Sequence, residues 1–593
     1  MSQPTTKDQK PKTKALARRQ SGLRPSSLVF SLPVLFLVIT LLYPLGTILA
    51  YAFAEGARGL REALSASYTW RVLGFSIGQA ALSTALTLAL GMPGAYVFAR
   101  YRFPGKRLLQ AIAAVPFVMP TIVVAVAIGA LLGPRGLLNS WLRAWLDLDQ
   151  PPIRLQNGLG LVLLAHIFYN YTVVLRLVGG IWSQLDPQLE QAAAVLGASR
   201  WRTFRQITLP LLAPAIGAAA MLIFTFTFSS FGVIIILGGP RMATLEVEIY
   251  RQVAQLLRLD LAAALALIQL TCTLALSLLY ARLSSRQTAP LRLQPRTVTA
   301  RPPRSLAARV LVITNSLLIV LLLGAPLIAL ALRSLLAEDG GLSLAAYAAL
   351  GENRTGSAFF VPPSVAIANS LRIAATTTVI AMAVGVPGAY LLAKRGMENE
   401  ELRIKKPATH AGHGFQFSIL NSQLLEALFM LPLGTSATTL GLGVLIALSV
   451  PTLAALRTSP WPVPVLHSLV ALPFVVRALL PVLRARSPQL AEAAASLGAG
   501  PLRRWLRIEL PLIAPALATG AIFAFTVSLG EFGATLLLAR PSAPTLPVLI
   551  FRFLSQPGAI NYAQALALST LLMLLTAASF LIIERIRPPG GRF

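Results

Sequence analysis

The chain is poor in the residues that most chemistry needs. Cysteine occurs once, as Cys272 within an apolar run, which excludes an internal disulfide and argues against a thiolate metal site. Histidine occurs 4 times in 593 residues, and Asp and Glu together only 21 times. Charged residues are 12% of the chain, against about 25% in soluble domains, so a soluble protein is excluded. No G-x-x-x-x-G-K-[ST] is present; Gly105-Lys106 lacks both the upstream glycine and the following hydroxyl. No catalytic constellation appears, and no cofactor or metal site is expected. His410 and His413 have no nearby carboxylate or cysteine partner, so the stretch Gly396 to Gln423 reads as a solvated loop rather than a metal site.

Apolar residues and positive charge are what the sequence has in abundance. Residues AVILMFWYC make up 55%, and apolar runs of about 20 residues, enough to cross the hydrocarbon layer as helices, recur throughout. Counting them predicts an all-α polytopic membrane protein with twelve spans. In the first half they lie near 28–54, 72–99, 109–133, 157–181, 212–237 and 261–283. In the second half they lie near 308–334, 364–393, 423–449, 463–485, 513–539 and 561–583. This divides the chain into a basic tail (1–27), one repeat (28–283), a basic linker (284–307), a second repeat (308–585) and a short tail (586–593). Lys and Arg outnumber Asp and Glu by 51 to 21, and the basic clusters fall in alternate loops. Positive charge marks the cytoplasmic side, so both termini are expected there. An even number of spans per half makes the repeats parallel. The linker reads as a basic connector over anionic lipid, not as a nucleic-acid site. Ala52-Phe53-Ala54 resembles a signal-peptidase site, but the long preceding run favours an uncleaved first helix.

One polar stretch occurs twice. Pro187 to Ile216 and Pro488 to Leu517 share 17 of 30 positions at an offset of 301 residues. Asp186 is placed to cap a helix with Pro187 at its first position, and Gly197 to end it in the left-handed conformation. A second short helix is expected over about 199–208, with Pro210 near the start of the next span. The second copy has Pro488, Gly498 and Pro511 in the same places. A thin alanine surface repeated between membrane spans predicts a docking surface used twice. Outside this stretch, GMPGAY (Gly91 to Tyr96) matches GVPGAY (Gly385 to Tyr390).

These residues resemble the EAA loop of binding-protein-dependent ABC importer permeases. The second copy matches fully with Glu492, Ala493, Ala494, Gly498, Ile508, Leu510 and Pro511. In the first, Gln191 takes the Glu position after Glu190, while Ala192, Ala193, Gly197, Ile207, Leu209 and Pro210 match. The fused double layout resembles the ferric-iron and thiamine importer permeases, and leaves iron and thiamine both open. The resemblance implies a translocation subunit, not an enzyme, in a bacterial inner membrane. It implies a separate cytoplasmic ABC ATPase dimer gripping the two loops, and an extracytoplasmic binding protein delivering the solute. The alternative is an ion-gradient-driven secondary transporter built from two repeats.

Ionisable groups at membrane depth are functional candidates. Glu531, whose counterpart is Ser230, could face a cationic solute or make a structural bond. His166 and His467 are paired across the halves, and a helix–helix hydrogen bond is the first reading for both. Phe231 and Phe532 are candidates for the path; the run Phe224, Phe226, Phe228 defines no single helix face and reads first as packing.

Overall fold

The computed structural model describes residues 25–153, 158–239, 242–285, 300–336, 341–353, 360–405, 413–486 and 488–586. Among these, 11 helices are long and apolar enough to cross a membrane. A pair bent by 98°, Leu424–Gly434 with Ala437–Ala447, makes a twelfth if taken as one span. The first, second, fourth, sixth, seventh, eighth, tenth and twelfth spans fall close to their expected places. Their bounds are Ser31–Ala52, Ser67–Arg100, Leu159–Trp182, Leu259–Leu279, Leu306–Ser334, Pro363–Gly396, Pro462–Arg484 and Ala559–Ile582.

The other four spans are broken where the apolar runs looked continuous. In the third, the helix Lys106–Ala114 gives way to a tight turn at Val115–Val118 and resumes at Thr121–Leu132. Pro120 causes the break: it disfavours helical backbone in the residue before it, and Met119 is extended at ψ 140°. The ninth breaks at Thr435-Ser436, where the Ser436 hydroxyl accepts from the N–H groups of Thr438 and Thr439 and starts the new helix. The fifth and eleventh, expected to run on to 237 and 539, stop at Phe228 and Gly530; short helices Gly232–Leu237 and Gly533–Leu538 follow each gap.

Four spans carry one π-helical turn each, at Val38–Leu42, Phe204–Thr208, Val320–Gly324 and Trp505–Glu509. Every one ends two residues before a proline: Pro44, Pro210, Pro326 or Pro511. A proline ring has no N–H to give and collides with the carbonyl four residues back. Widening the preceding turn relieves both problems without breaking the helix. The consequence corrects an expectation. The helix expected over 199–208 is not a separate element but the foot of the fifth span, which runs unbroken as Arg200–Phe228.

Within each half, the second, fourth and fifth spans (or eighth, tenth and eleventh) pack as a three-helix core. The repeated glycine motif explains the closeness. A Cβ on Gly91 would lie 2.8 Å from Val174, and one on Gly385 would lie 2.7 Å from Val475, the same register in both halves. Gly94 meets Tyr171 of the fourth span, whereas Gly388 meets Phe429 of the ninth. The first span of each half also reaches the opposite half. Leu37 and Leu41 are buried among second-half residues, whereas Ile48 and Ala52 further along the same span pack chiefly on the first half; Ile319, Leu323 and Leu330 are buried among residues of both halves. Asn315 of the seventh span donates to the Tyr171 hydroxyl at 3.2 Å. Repeat boundaries in sequence are therefore not packing boundaries.

The stretch 396–423 also differs from expectation. The eighth span's helix continues to Lys405, and a helix from His413 leads into the ninth. Strong helix formers between Met397 and Lys405 carry the helix past the apolar run. His410 lies outside the described residues, as do the N-terminal tail through 24, positions 286–299 of the linker, and the C-terminal tail from 587.

Candidate functional site

The four breaks meet at the seam between halves and enclose a cavity of about 340 Å³. Its wall includes Met119, Pro120 and Thr121 from the third span, Ser229 to Val233 from the fifth, Ser436 to Thr438 from the ninth, and Gly530 to Gly533 from the eleventh. Broken helices are tolerated at membrane depth where the freed backbone lines a cavity or is buried in protein. Phe231 and Phe532 close the seam with ring centroids 5.6 Å apart. Gly232 and Gly533 let the short helices approach: a Cβ on either would collide with the hydroxyl of Thr121 or Thr438.

Six phenylalanines line this space, Phe117, Phe226, Phe231, Phe474, Phe523 and Phe532, together with Tyr169 and His166; among the described residues Glu531 is the single carboxylate of the lining, and none is Lys or Arg. The expected path residues Glu531, Ser230, Phe231, Phe532 and His166 are thus brought together, with His467 directly behind. The phenylalanine run divides. Phe226 faces the cavity, whereas Phe224 and Phe228 stack on each other at 5.9 Å in the core. Tyr169, Phe474, Phe523, Ser436 and Thr438 were not anticipated. Their signal was indirect: prolines and hydroxyls within apolar runs mark breaks, and a break at membrane depth marks a cavity.

Both histidines make bonds between helices, as first read. His166 Nδ1 lies 2.9 Å from Ser83 Oγ and its Nε2 2.9 Å from Ser230 Oγ. His467 Nδ1 lies 2.8 Å from Ser528 Oγ and its Nε2 2.7 Å from Thr535 Oγ1, with the Glu531 carboxylate 3.1 Å away. Glu531 also does structural work. Its two oxygens accept the N–H groups of Ala534 and Thr535, both at 2.9 Å, capping the helix Gly533–Leu538.

At the other site, the two repeated stretches fold as elbows. The Asp186 side chain accepts from Gln188 N at 2.9 Å, the helix runs Pro187–Val195, and Gly197 turns with φ +80°. The second elbow has Pro488–Ser496 and Gly498 at φ +79°. Only glycine takes that conformation freely. Each elbow helix buries one alanine, Ala193 or Ala494, and exposes its neighbours Gln191 and Ala192, or Glu492 and Ala493. Beyond them a large apolar patch is open. Val195 and Leu196 are 88% and 87% exposed, and Leu497 is 88% exposed. Glu190 turns inward instead and pairs with Arg100 at 2.9 Å. Ile207 and Ile508 sit half-buried in the π turns, while Leu209 and Pro210, or Leu510 and Pro511, begin the regular helix beyond.

The family model for the binding-protein-dependent transport system inner membrane component matches residues 91–289, which include the first elbow. The thiamine transport system permease protein ThiP of Salmonella typhimurium is 29% identical over 589 residues, 97% of this chain and 99% of that protein. The chain is a binding-protein-dependent ABC importer permease. ThiP of Escherichia coli K12 is 28% identical over 88% of the permease and 90% of its own length. The sulfate transport system permease protein CysT of the same organism is 33% identical over 32% of the permease and 66% of its own length. A solved bacterial ABC transporter involved in import of the acidic polysaccharide alginate covers 45% of the permease and 98% of its own chain, with TM-score 0.36 and 21% identity. The permease is a translocation subunit rather than an enzyme, and the ion-gradient alternative is not favoured.

Proposed function

We propose that this permease carries thiamine across a bacterial inner membrane, delivered by a solute-binding protein and driven by ATPase subunits gripping the two elbows. End-to-end similarity to two ThiP proteins supports the solute, and the cavity's lining is the observation that carries it. Six phenylalanines with one carboxylate and no basic side chain among the described lining residues suit a flat organic cation, which is drawn to aromatic rings. Iron(III) is a bare ion held by hard oxygen donors, which a stacking surface does not supply. An anion such as sulfate would face Glu531 with no cationic partner in the wall.

The elbows support the energy source. Alanine faces allow close approach, and the apolar patches at Leu189, Val195, Leu196 and Trp201, or Leu490, Leu497 and Leu502, are what a partner protein would cover. With elbows and termini on the cytoplasmic side, ATP closing an ATPase dimer would draw the elbows together. That moves the spans only so far as ATP binds the closed dimer better than the open one.

Uptake of labelled thiamine into proteoliposomes holding the permease, its ATPase and its binding protein tests both parts. Uptake is expected to require ATP and all three components. Equal uptake without the ATPase, or none above the leak of empty vesicles, would overturn the reading.

A further inference from the structure

Each elbow is fastened to its own half by an ion pair, and the two pairs are built differently. In the first half, Glu190 lies on the elbow helix. One of its oxygens takes Arg100 Nη2 at 2.9 Å and the Thr208 hydroxyl at 3.2 Å. Arg100 ends the second span, is 5% exposed, and also donates to the Leu185 carbonyl at 3.1 Å. One carboxylate therefore ties the elbow to the end of the second span and the foot of the fifth. In the second half, Ala491 stands at the register of Glu190. The acid stands instead at Glu509, the register of Thr208, and a base is added at Arg486, the register of Leu185, while Lys394 keeps the register of Arg100. Arg486 Nη1 and Glu509 Oε2 are 2.6 Å apart, with Arg504 Nε 3.8 Å from the same carboxylate.

We propose that these pairs are the latches through which elbow motion enters the spans, and that they have opposite polarity: acid on the elbow in the first half, base at the elbow's root in the second. This rests on the ATPase-docking reading. The physical need is direction. A buried alanine holds an elbow by dispersion alone and lets it slide, whereas a partly buried charge pair holds its partners at a set distance, and in the first half hydrogen bonds set the angle as well. The first latch joins the elbow to the second and fifth spans, and the second joins the elbow's root to the foot of the eleventh.

The test uses the permease–ATPase complex in nanodiscs, with Cys272→Ala and a reporter Thr526→Cys in the cavity wall. The readout is the change that ATP produces in labelling of that cysteine by a membrane-impermeant maleimide, which needs no solute. Glu190→Gln, Arg100→Gln and Glu509→Gln should each shrink the ATP response by about 5- to 150-fold, the usual range for coupled sites. ATPase should still copurify and hydrolyse ATP. Arg100→Lys should keep the response, and the exchange Arg486→Glu with Glu509→Arg should restore what Glu509→Gln loses. A full response in the three neutral variants would overturn the latches. So would loss of the bound ATPase, or failure of both rescues, since each would mark a docking or folding role. No ATP response in the parent complex would overturn docking and latches together, whereas failure of thiamine uptake alone would leave this result standing.

Discussion

Glu531 is the acid whose two readings, solute contact and structural bond, the sequence left open, and its removal separates them. The carboxylate accepts two backbone N–H groups at 2.9 Å, sits 3.1 Å from His467 Nε2, and is 8% exposed. Glu531→Ala leaves two donors at the start of Gly533–Leu538 facing a small cavity. Losing a cap costs about 0.5–2 kcal/mol, and a buried donor left unpaired costs about 1–3 kcal/mol. The two figures describe overlapping losses, so about 2–4 kcal/mol is expected for alanine. Glu531→Gln keeps one carbonyl acceptor and should cost about 1 kcal/mol. Glu531→Ser places at this position the residue that Ser230 supplies in the first half, where it bonds His166 at 2.9 Å. Serine is a good cap, so it should recover most of the alanine loss. SDS-titrated unfolding in mixed micelles reads these differences, and thiamine uptake is measured on the same preparations. An alanine variant within about 0.5 kcal/mol of the parent, the ordinary scatter for inert sites, would refute the cap. If glutamine keeps stability but loses uptake, the negative charge acts on the solute as well.

Other substitutions test the packing and the surfaces. Gly94→Val drives a side chain into Tyr171 between the second and fourth spans, and overpacking of that kind costs about 1–3 kcal/mol; unchanged unfolding would refute the close approach. Leu196→Asp and Leu497→Asp alter residues that are 87% and 88% exposed, so unfolding should be unaffected while ATPase copurification is lost. Retained copurification in the double variant would sink elbow docking. Glu62 is held below its ordinary carboxylate range chiefly by its hydrogen bond to Arg258. A depressed folded value means the pair stabilises above the unfolded range and loses its effect as pH falls through the folded value. The gap in unfolding temperature between parent and Glu62→Gln should therefore be larger at pH 7 than at pH 3; an equal gap would refute the link.

The elbows were legible because local chemistry alone specifies them. A cap at Asp186, a proline at the first helical position and a glycine that can turn left-handed each act within a few residues, and all three appear as expected. The broken spans were not legible by hydropathy. The polar residues of the cavity wall are spread singly through otherwise apolar runs, so the runs through Val115–Thr121 and Leu431–Ala437 look continuous. Only Pro120, and the Ser436 hydroxyl in the second half, mark the breaks. The reach of each first span onto the opposite half was hidden for a different reason. A repeat fixes which residues correspond but not which half a first helix leans on, and sequence correspondence is the same either way.

The repeat also shows where symmetry was kept and where it was given up. Ser76 and Ser370, equivalent by register, each take the N–H that starts a short helix, at Leu245 and Leu546. The glycine contacts on Val174 and Val475 are equivalent too. The ion pairs behind the elbows are not matched, Glu190 with Arg100 in one half and Glu509 with Arg486 in the other. The cavity wall is not matched either. There Ser230 stands at the register of Glu531, so the single carboxylate among the described lining residues comes from the second half. The cationic solute proposed above would then meet a carboxylate from one half and a hydroxyl from the other, a polarity that two matched halves could not give.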